Sequence, residues 1–235
     1  ADIPSRGTGL GSSSTVTVGL LNALHNFVGR QVSAEQLAEE ACNIEIDMLG
    51  QPIGRQDQYA AAHGGVNSIS FTSEGVEVSS LDLSSEIISR LESEFTLVFT
   101  GLTRSASSVL SESPEDEFDR LQRLRSIRMQ ADEARIMLEG GKLSELGELL
   151  ESAWQAKRGI TSGVSSQEID DLHDRLMQLG ASGAKLLGAG GGGFFLVHGD
   201  ADLRTKIEKE FRGNNQIIPL GVDFEGSTII HNGGE

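Results

Sequence analysis

The chain has 235 residues, of which 37% are hydrophobic, so it can bury the core of one large domain or two small ones. Its 19 lysines and arginines against 35 aspartates and glutamates give a net charge of -16, which disfavours a nucleic-acid partner. No apolar run reaches the roughly 18 residues of a membrane span, the start lacks a signal-peptide layout, and Cys42 has no second cysteine for a disulfide. We therefore expect a soluble, cytoplasmic protein without a membrane partner, whose oligomeric state the sequence leaves open.

Hydrophobic periodicity predicts helices and strands in mixed order along the chain. The predicted helices cover residues 13–27, 33–47, 114–138, 143–157, 167–179 and 201–211. The predicted strands cover residues 64–71, 76–78, 96–99, 185–187, 194–197 and 217–224. Because these elements come in runs and do not alternate strictly, they predict an α+β fold with an antiparallel sheet. We expect two subdomains that meet between Phe99 and Pro114.

Two helix details carry specific expectations. In the first helix, apolar residues recur at helical spacing, namely Val16, Leu20, Leu21 and Leu24. We also expect close packing to require Gly19, because glycine destabilises a helix interior. In the second helix, Ser33 is the expected N-cap.

Glycine is the compositional outlier, with 29 residues or about 12% of the chain against roughly 7% in average proteins. The glycines cluster at 7–11 and 188–193, and the first cluster leads directly into a helix. The free N–H groups and the dipole of a helix start bind phosphate without a basic side chain. Ser12, Ser13 and Ser14 are then placed to cap the helix, to contact phosphate or to ligate magnesium. An ordinary glycine turn with serine caps is the alternative.

The strings of the two clusters resemble the GHMP kinases, which include galactokinase, homoserine kinase and mevalonate kinase. Residues 4–14, PSRGTGLGSSS, are similar to the nucleotide-binding motif of that family, and residues 185–194, KLLGAGGGGF, to its C-terminal glycine motif. The P-loop and Rossmann fingerprints are absent, since no Gly-x-x-x-x-Gly-Lys-Ser/Thr string occurs and position 14 is serine. The resemblance implies that the nucleotide is bound by residues from both motifs, namely Gly7, Gly9, Leu10, Gly11, Ser12, Ser13, Ser14, Gly190 and Gly191.

Residues 54–62, 100–106 and 222–226 are most similar to the D-glycero-D-manno-heptose 7-phosphate kinases within this family. The resemblance implies a two-subdomain GHMP-kinase-like fold, with residues 1–100 as the incomplete nucleotide-binding part of an N-terminal domain and 101–235 as a C-terminal domain. It also implies ATP and Mg²⁺ as cofactors, and a reaction that phosphorylates the anomeric hydroxyl of a small sugar phosphate. Family members carry a further segment before the first glycine motif, so we expect catalysis to depend on residues ahead of Ala1.

The resemblance also assigns residues to the reaction. Asp57 matches the catalytic aspartate and is the expected general base, although an ordinary aspartate, with a pKa of about 3.9, is a poor proton acceptor. The alternative is that Asp57 caps the helix that begins beside it. Glu45 matches the magnesium-binding glutamate, and Ser13 is the expected second ligand, with Ser12 and Ser14 as rivals.

A second substrate phosphate requires a positive contact. Arg104 and Arg55 are the candidates, because a guanidinium grips phosphate in a fork; Lys157 and Lys185 are weaker candidates, and a surface ion pair is the alternative for either arginine. We expect the second glycine cluster to buttress the first without supplying charge, or else to form a simple bend between strands.

Two other functions remain open from the sequence. One is a different GHMP small-molecule kinase, of the fucose, galactose or mevalonate type. The other is a non-catalytic fragment that binds a nucleotide or a sugar. The presence of Asp57, Glu45 and the serines favours a catalyst.

Overall fold

The computed structural model describes residues 7–104, 117–212 and 216–231. Within these ranges it contains eight α-helices: α1 (Ser12–Phe27), α2 (Ala34–Cys42), α3 (Gln56–His63), α4 (Ser85–Glu94), α5 (Glu117–Glu139), α6 (Leu143–Arg158), α7 (Gln167–Gln178) and α8 (Leu203–Glu210). A π-helix, Asn43–Met48, continues α2, and a 3₁₀ turn, Ser162–Val164, precedes α7. None of the helices in this described part is long and apolar enough to cross a membrane.

The strands form two antiparallel sheets, so the predicted α+β fold is confirmed. The strands are β1 (Asn67–Thr72), β2 (Gly75–Ser80), β3 (Phe95–Phe99), β4 (Gly183–Leu186), β5 (Phe194–His198) and β6 (Ile217–Pro219). The β1–β2 hairpin stands alone, and the second sheet has the order β4-β5-β3-β6. In that sheet Phe95 pairs with His198 and Phe99 with Phe194, so the turn from β4 into β5, residues 187–193, lies at one end of the strands.

The chain packs into two compact units. The larger unit comprises Ala1–Leu10 and Asp82–Gly221, and the smaller unit comprises Gly11–Leu81 and Val222–Glu235. The division between these units does not fall at residue 100. Strand β3 pairs with β5 and β6, so it packs with the later part of the chain. The assignment of residues 1–100 and 101–235 to two family domains remains a prediction.

The core of the larger unit lies where α6 and α7 cover the sheet. Trp154 on α6 is fully buried, and its ring meets Phe195 of β5 edge to face at 5.5 Å. Helix α6 approaches β4 so closely that a Cβ on Gly183 would lie 1.9 Å from the carbonyl oxygen of Gly147. Glycine at 183 is therefore a packing requirement of this unit.

The smaller unit is built on α1, α2 and α3, with Val18, Leu37 and Tyr59 in its core. The apolar face predicted for α1 is buried only at Leu21, since Val16 is 68% and Leu20 58% exposed. The helix packs through Leu21 together with Val18 and the small Ser14. Close packing does not require Gly19 either, because a Cβ there would meet no atom within 4 Å among the described residues.

Most predicted elements are confirmed, and Ser33 caps α2 by accepting from the Gln36 amide. The predicted start of α5 at Pro114 lies outside the described residues. The last strand is shorter than predicted, because it ends at Pro219, which has no N–H to continue a ladder. Helix α4 was not predicted; Ser84 caps it, and only Leu91 on it is fully buried.

A buried histidine makes the stability of the larger unit depend on pH. His173 Nε2 lies 2.9 Å from Glu151 Oε2, and Nδ1 lies 3.3 Å from Asp174 Oδ1. Burial opposes a charge on this ring, but the hydrogen bonds and charges of Glu151 and Asp174 prevail and raise the pKa of His173. The stabilisation is thus complete below the unfolded pKa of about 6.5 and is lost as the pH rises through the folded pKa.

We predict that His173→Gln lowers the thermal midpoint most at pH 5.5 and least at pH 9, because the neutral amide cannot reproduce the charged pair. Each kcal/mol lost corresponds to roughly 2–4 °C in a chain of this size. Thermal melts across this pH range measure the difference, with His231→Gln at an exposed position as the control. A difference from wild type that stays constant with pH would contradict the raised pKa.

Candidate active site

In the smaller unit, the N-terminus of α1 is not capped by any side chain that the structure describes. Gly11 is the N-cap residue, in the left-handed region with φ 66°, and its carbonyl accepts from the Thr15 amide at 2.9 Å. The alternative of a glycine turn with serine caps is therefore wrong as to the caps. Ser14 is 2% exposed and faces the core, which leaves Ser13 better placed than Ser14 to contact a ligand.

A buried carboxylate forms the centre of this part of the site. Ser13 Oγ donates to Glu45 Oε1 at 2.6 Å, and Gln58 Nε2 donates to Glu45 Oε2 at 2.6 Å. Glu45 is 3% exposed although it lies on the short π-helix, and Gln58 is fully buried. No lysine, arginine or histidine of the described ranges pairs with Glu45. The sequence thus correctly predicted that Ser13 and Glu45 meet. It missed Gln58, for which the one available indication was its position directly after Asp57.

Asp57 lies in the first turn of α3 and packs against the start of α1. A Cβ on Gly11 would come within 3.1 Å of both Cβ and Cγ of Asp57. Arg55 is the N-cap residue of α3 and Asp57 makes no cap hydrogen bond, so the alternative of a capping aspartate is wrong. Burial, and then the nearby charge of Glu45, raise the pKa of Asp57. The environment therefore improves this carboxylate as a proton acceptor.

The donor set suits a hard divalent cation. Glu45 offers a carboxylate oxygen and Ser13 a hydroxyl oxygen, 2.6 Å apart, and oxygen ligands are those that Mg²⁺ prefers. No cluster of three or more histidine, cysteine or acidic side chains suited to a metal occurs in the described residues. The protein would therefore supply few ligands, which fits a magnesium ion that keeps water and phosphate oxygens around it.

In the larger unit, the two glycine clusters pack on each other. A Cβ on Gly9 would lie 2.9 Å from the Leu187 oxygen, and a Cβ on Gly188 would lie 2.6 Å from the Gly9 Cα. The Phe194 amide donates to the Thr8 oxygen at 3.2 Å. The two backbones are so close at Gly9 and Gly188 that neither position has room for a side chain. These contacts agree with the expectation that the second cluster buttresses the first.

The second glycine loop, residues 187–193, uses some of its amides to hold its own shape. The Gly191 amide donates to the Val164 oxygen and the Gly193 amide to the Leu102 oxygen, both at 2.9 Å. The Gly191 N–H is thus occupied, which counts against its direct contact with a nucleotide. The amides of Gly190 and Gly192 have no backbone partner outside regular elements in the part of the chain described.

The two candidate arginines lie in different surroundings. Arg55, in the smaller unit, lines a cavity of about 550 Å³ together with Glu39, Glu40, Asn43, Ile44 and Asp47. It also contacts Cys42, whose pKa is nevertheless raised by burial. Three acidic neighbours make this cavity a poor place for a phosphate, so the predicted substrate role of Arg55 loses support.

Arg104 belongs to the larger unit and is exposed beside the first glycine cluster. Its guanidinium donates to the Gly163 oxygen at 3.2 Å, and a Cβ on Gly7 would lie 2.9 Å from its backbone nitrogen. Leu10, the last residue of this cluster in the larger unit, is half-buried. Arg104 therefore stays a candidate contact for a substrate phosphate.

Comparison with known proteins agrees with this geometry. Residues 1–65 match the GHMP kinases N terminal domain, and residues 134–213 match the GHMP kinases C terminal region. The chain belongs to the GHMP kinases. It is 32% identical to the D-glycero-alpha-D-manno-heptose 7-phosphate kinase of Campylobacter jejuni, over 90% of this chain and 63% of that kinase.

Two solved structures of this family resemble the chain closely in fold. A putative sugar kinase from Campylobacter jejuni is 30% identical with a TM-score of 0.75, and the match covers 96% of this chain and 65% of that one. A D-glycero-D-manno-heptose 1-phosphate kinase from Bacteroides thetaiotaomicron is 25% identical with a TM-score of 0.75, and the match covers 94% of this chain and 62% of that one. This GHMP kinase chain thus spans less than two thirds of the length of these relatives.

The contact between Gly11 and Asp57 leads to a stability prediction for two glycines at the start and middle of α1. Gly11→Ala should lower the free energy of unfolding by about 1–2 kcal/mol, because alanine resists a positive φ and its methyl group presses on Asp57. Gly19→Ala should raise it by about 0.5–1 kcal/mol, because the helix gains propensity and the methyl group meets open space. Urea unfolding measures both, and equal effects of the two substitutions would contradict the constraint at Gly11.

Proposed function

We propose that this chain carries the active-site residues of an ATP-dependent kinase that phosphorylates the anomeric hydroxyl of a small sugar phosphate. The observation that carries the proposal is the buried Glu45 carboxylate, hydrogen-bonded by Ser13 and Gln58, beside an Asp57 whose pKa is raised. No basic side chain among the described residues pairs with Glu45, and a phosphotransferase needs acidic oxygens for a metal and a separate proton acceptor.

Each residue has a role in this proposal. Asp57 accepts the proton of the attacking hydroxyl at a carboxylate oxygen, which its raised pKa assists. Glu45 and Ser13 would hold Mg²⁺, and Gln58 keeps the Glu45 carboxylate turned towards Ser13. The cation supplies charge neutralisation at the phosphates when it is bound. Residues 7–14 hold the phosphate chain of ATP through backbone N–H groups and the start of α1.

For the acceptor we propose D-glycero-D-manno-heptose 7-phosphate. The 32% identity to a heptose 7-phosphate kinase supports this choice over a fucose, galactose or mevalonate substrate, and Arg104 is the proposed contact for the substrate's own phosphate. The partner would be a small molecule and the location cytoplasmic, as the acidic composition and the lone Cys42 suggest. A non-catalytic nucleotide- or sugar-binding role is the alternative.

Replacing the proposed base separates turnover from binding and from stability. Asp57→Asn should lower kcat by at least a hundredfold while the Kd for Mg-ATP changes little, because the base acts in the chemical step.

The folded pKa of Asp57 is raised, so its ionisation destabilises the fold as the pH rises through that pKa. Asp57→Asn should therefore be more stable than wild type at pH 8, and this gain should vanish below pH 4. Normal turnover in this variant would exclude Asp57 as the base.

The substrate is tested by following ADP release from Mg-ATP with the protein purified in its natural full length. We expect turnover with heptose 7-phosphate and little with heptose, galactose, fucose or mevalonate.

Arg104→Met should raise KM for the sugar phosphate by roughly tenfold or more with little effect on kcat, since a lost charged contact weakens binding. Arg55→Met is the matched control. Turnover of galactose and none of heptose 7-phosphate would refute the acceptor, and the lack of any turnover would favour the binding role.

A further inference from the structure

Lys157, near the end of α6, reaches the second glycine loop of the larger unit. Its ammonium donates to the Leu186 oxygen at 2.8 Å and to the Gly188 oxygen. No carboxylate in the described ranges lies within ion-pair distance of it. A half-buried lysine without a counter-ion is costly, so its place at this loop calls for an explanation beyond packing.

The charges around Lys157 leave it uncompensated. Lys185 on β4 is the nearby charge that acts on it, and burial first and Lys185 second lower the pKa of Lys157 to about 7. Burial also lowers the pKa of Lys185. Three ionisable groups on the elements packed around this position have partners of their own: Arg158 binds Asp170, Glu151 binds His173, and Arg123 of α5, which approaches Gly159, binds Asp119.

The two carbonyls that Lys157 holds belong to peptides at the base of the loop. A trans peptide points its N–H away from its C=O, so fixing the Gly188 oxygen also directs the Ala189 N–H to the opposite side. Gly188 itself packs on Gly9 of the nucleotide motif. Lys157 therefore sets the orientation of a loop that contacts the first glycine cluster directly.

We propose that Lys157 is a positioning residue for polyphosphate: its ammonium orients the second glycine loop, and an anion bound at the glycine clusters stabilises that ammonium in return. This inference rests on the proposed function, because the anion is taken to be the phosphate tail of ATP. Before the anion binds, the Lys157 side chain at pH 8 is largely a neutral amine, whose two N–H groups can make the same two hydrogen bonds, and it becomes the charged ammonium when the anion binds. Binding then takes up a proton from solution.

The test is calorimetric titration at pH 8 with Mg-ATP and, separately, with inorganic tripolyphosphate, in two buffers of different ionisation enthalpy. Wild type should take up close to one proton for each polyphosphate bound. Lys157→Met should lose this uptake and bind at least tenfold more weakly. Lys157→Arg, which is always charged, should also lose the uptake and yet bind within a few-fold of wild type. Lys206→Met, at an exposed position of α8, is the control and should behave as wild type.

The outcomes separate this inference from the proposed function. Equal proton uptake in wild type and Lys157→Met would overturn the role of Lys157 while leaving ATP binding intact. If Lys157→Met does not fold, Lys157→Arg decides, and an unchanged uptake in that variant has the same meaning. If wild type binds neither Mg-ATP nor tripolyphosphate, both the inference and the proposed function are wrong. Protons that ATP itself gains or loses are common to all variants and cancel in the comparison.

Discussion

The buried carboxylate of Glu45 is the constraint on which the smaller unit's site depends. Two neutral donors, Ser13 and Gln58, satisfy one lone pair on each oxygen, and no basic side chain in the described ranges offsets the charge. Burying a carboxylate in this way is unfavourable unless something else compensates it. Burial, and then the charge of Glu45, raise the pKa of Asp57, so the buried acid also acts on its neighbouring carboxylate.

In the larger unit, close backbone packing shapes the candidate site, and not a buried charge. Its two glycine clusters approach within distances that no side chain would tolerate, as at Gly9 and Gly188. The loop is then held by backbone hydrogen bonds to Val164 and Leu102 and by the ammonium of Lys157. A chain of strongly acidic composition thus places a glycine loop and two lysines at one end of a sheet.

The sequence predicted the features that depend on local pattern and failed where tertiary packing decides. The hairpin, the Ser33 cap and the meeting of Ser13 with Glu45 were predicted from periodicity, capping chemistry and family motifs. The buried face of α1 was predicted only at Leu21, because the apolar residues of this helix outnumber the positions that α2 and α3 cover. Gln58 was missed because a glutamine in a helix is ordinary until its amide is found against a buried acid.

Glu45 lies on the π-helix, which is wound more loosely than an α-helix, and this limits how the segment can change in evolution. A π-helix of this kind amounts to one extra residue in a turn, and losing that residue would rotate the remainder of the helix by about 100°. If the lost residue preceded Glu45, the acid would then point elsewhere although the glutamate itself survived. Among homologous proteins, a single-residue gap just ahead of position 45 would therefore mark a lineage in which this buried acid has moved more reliably than a substitution nearby.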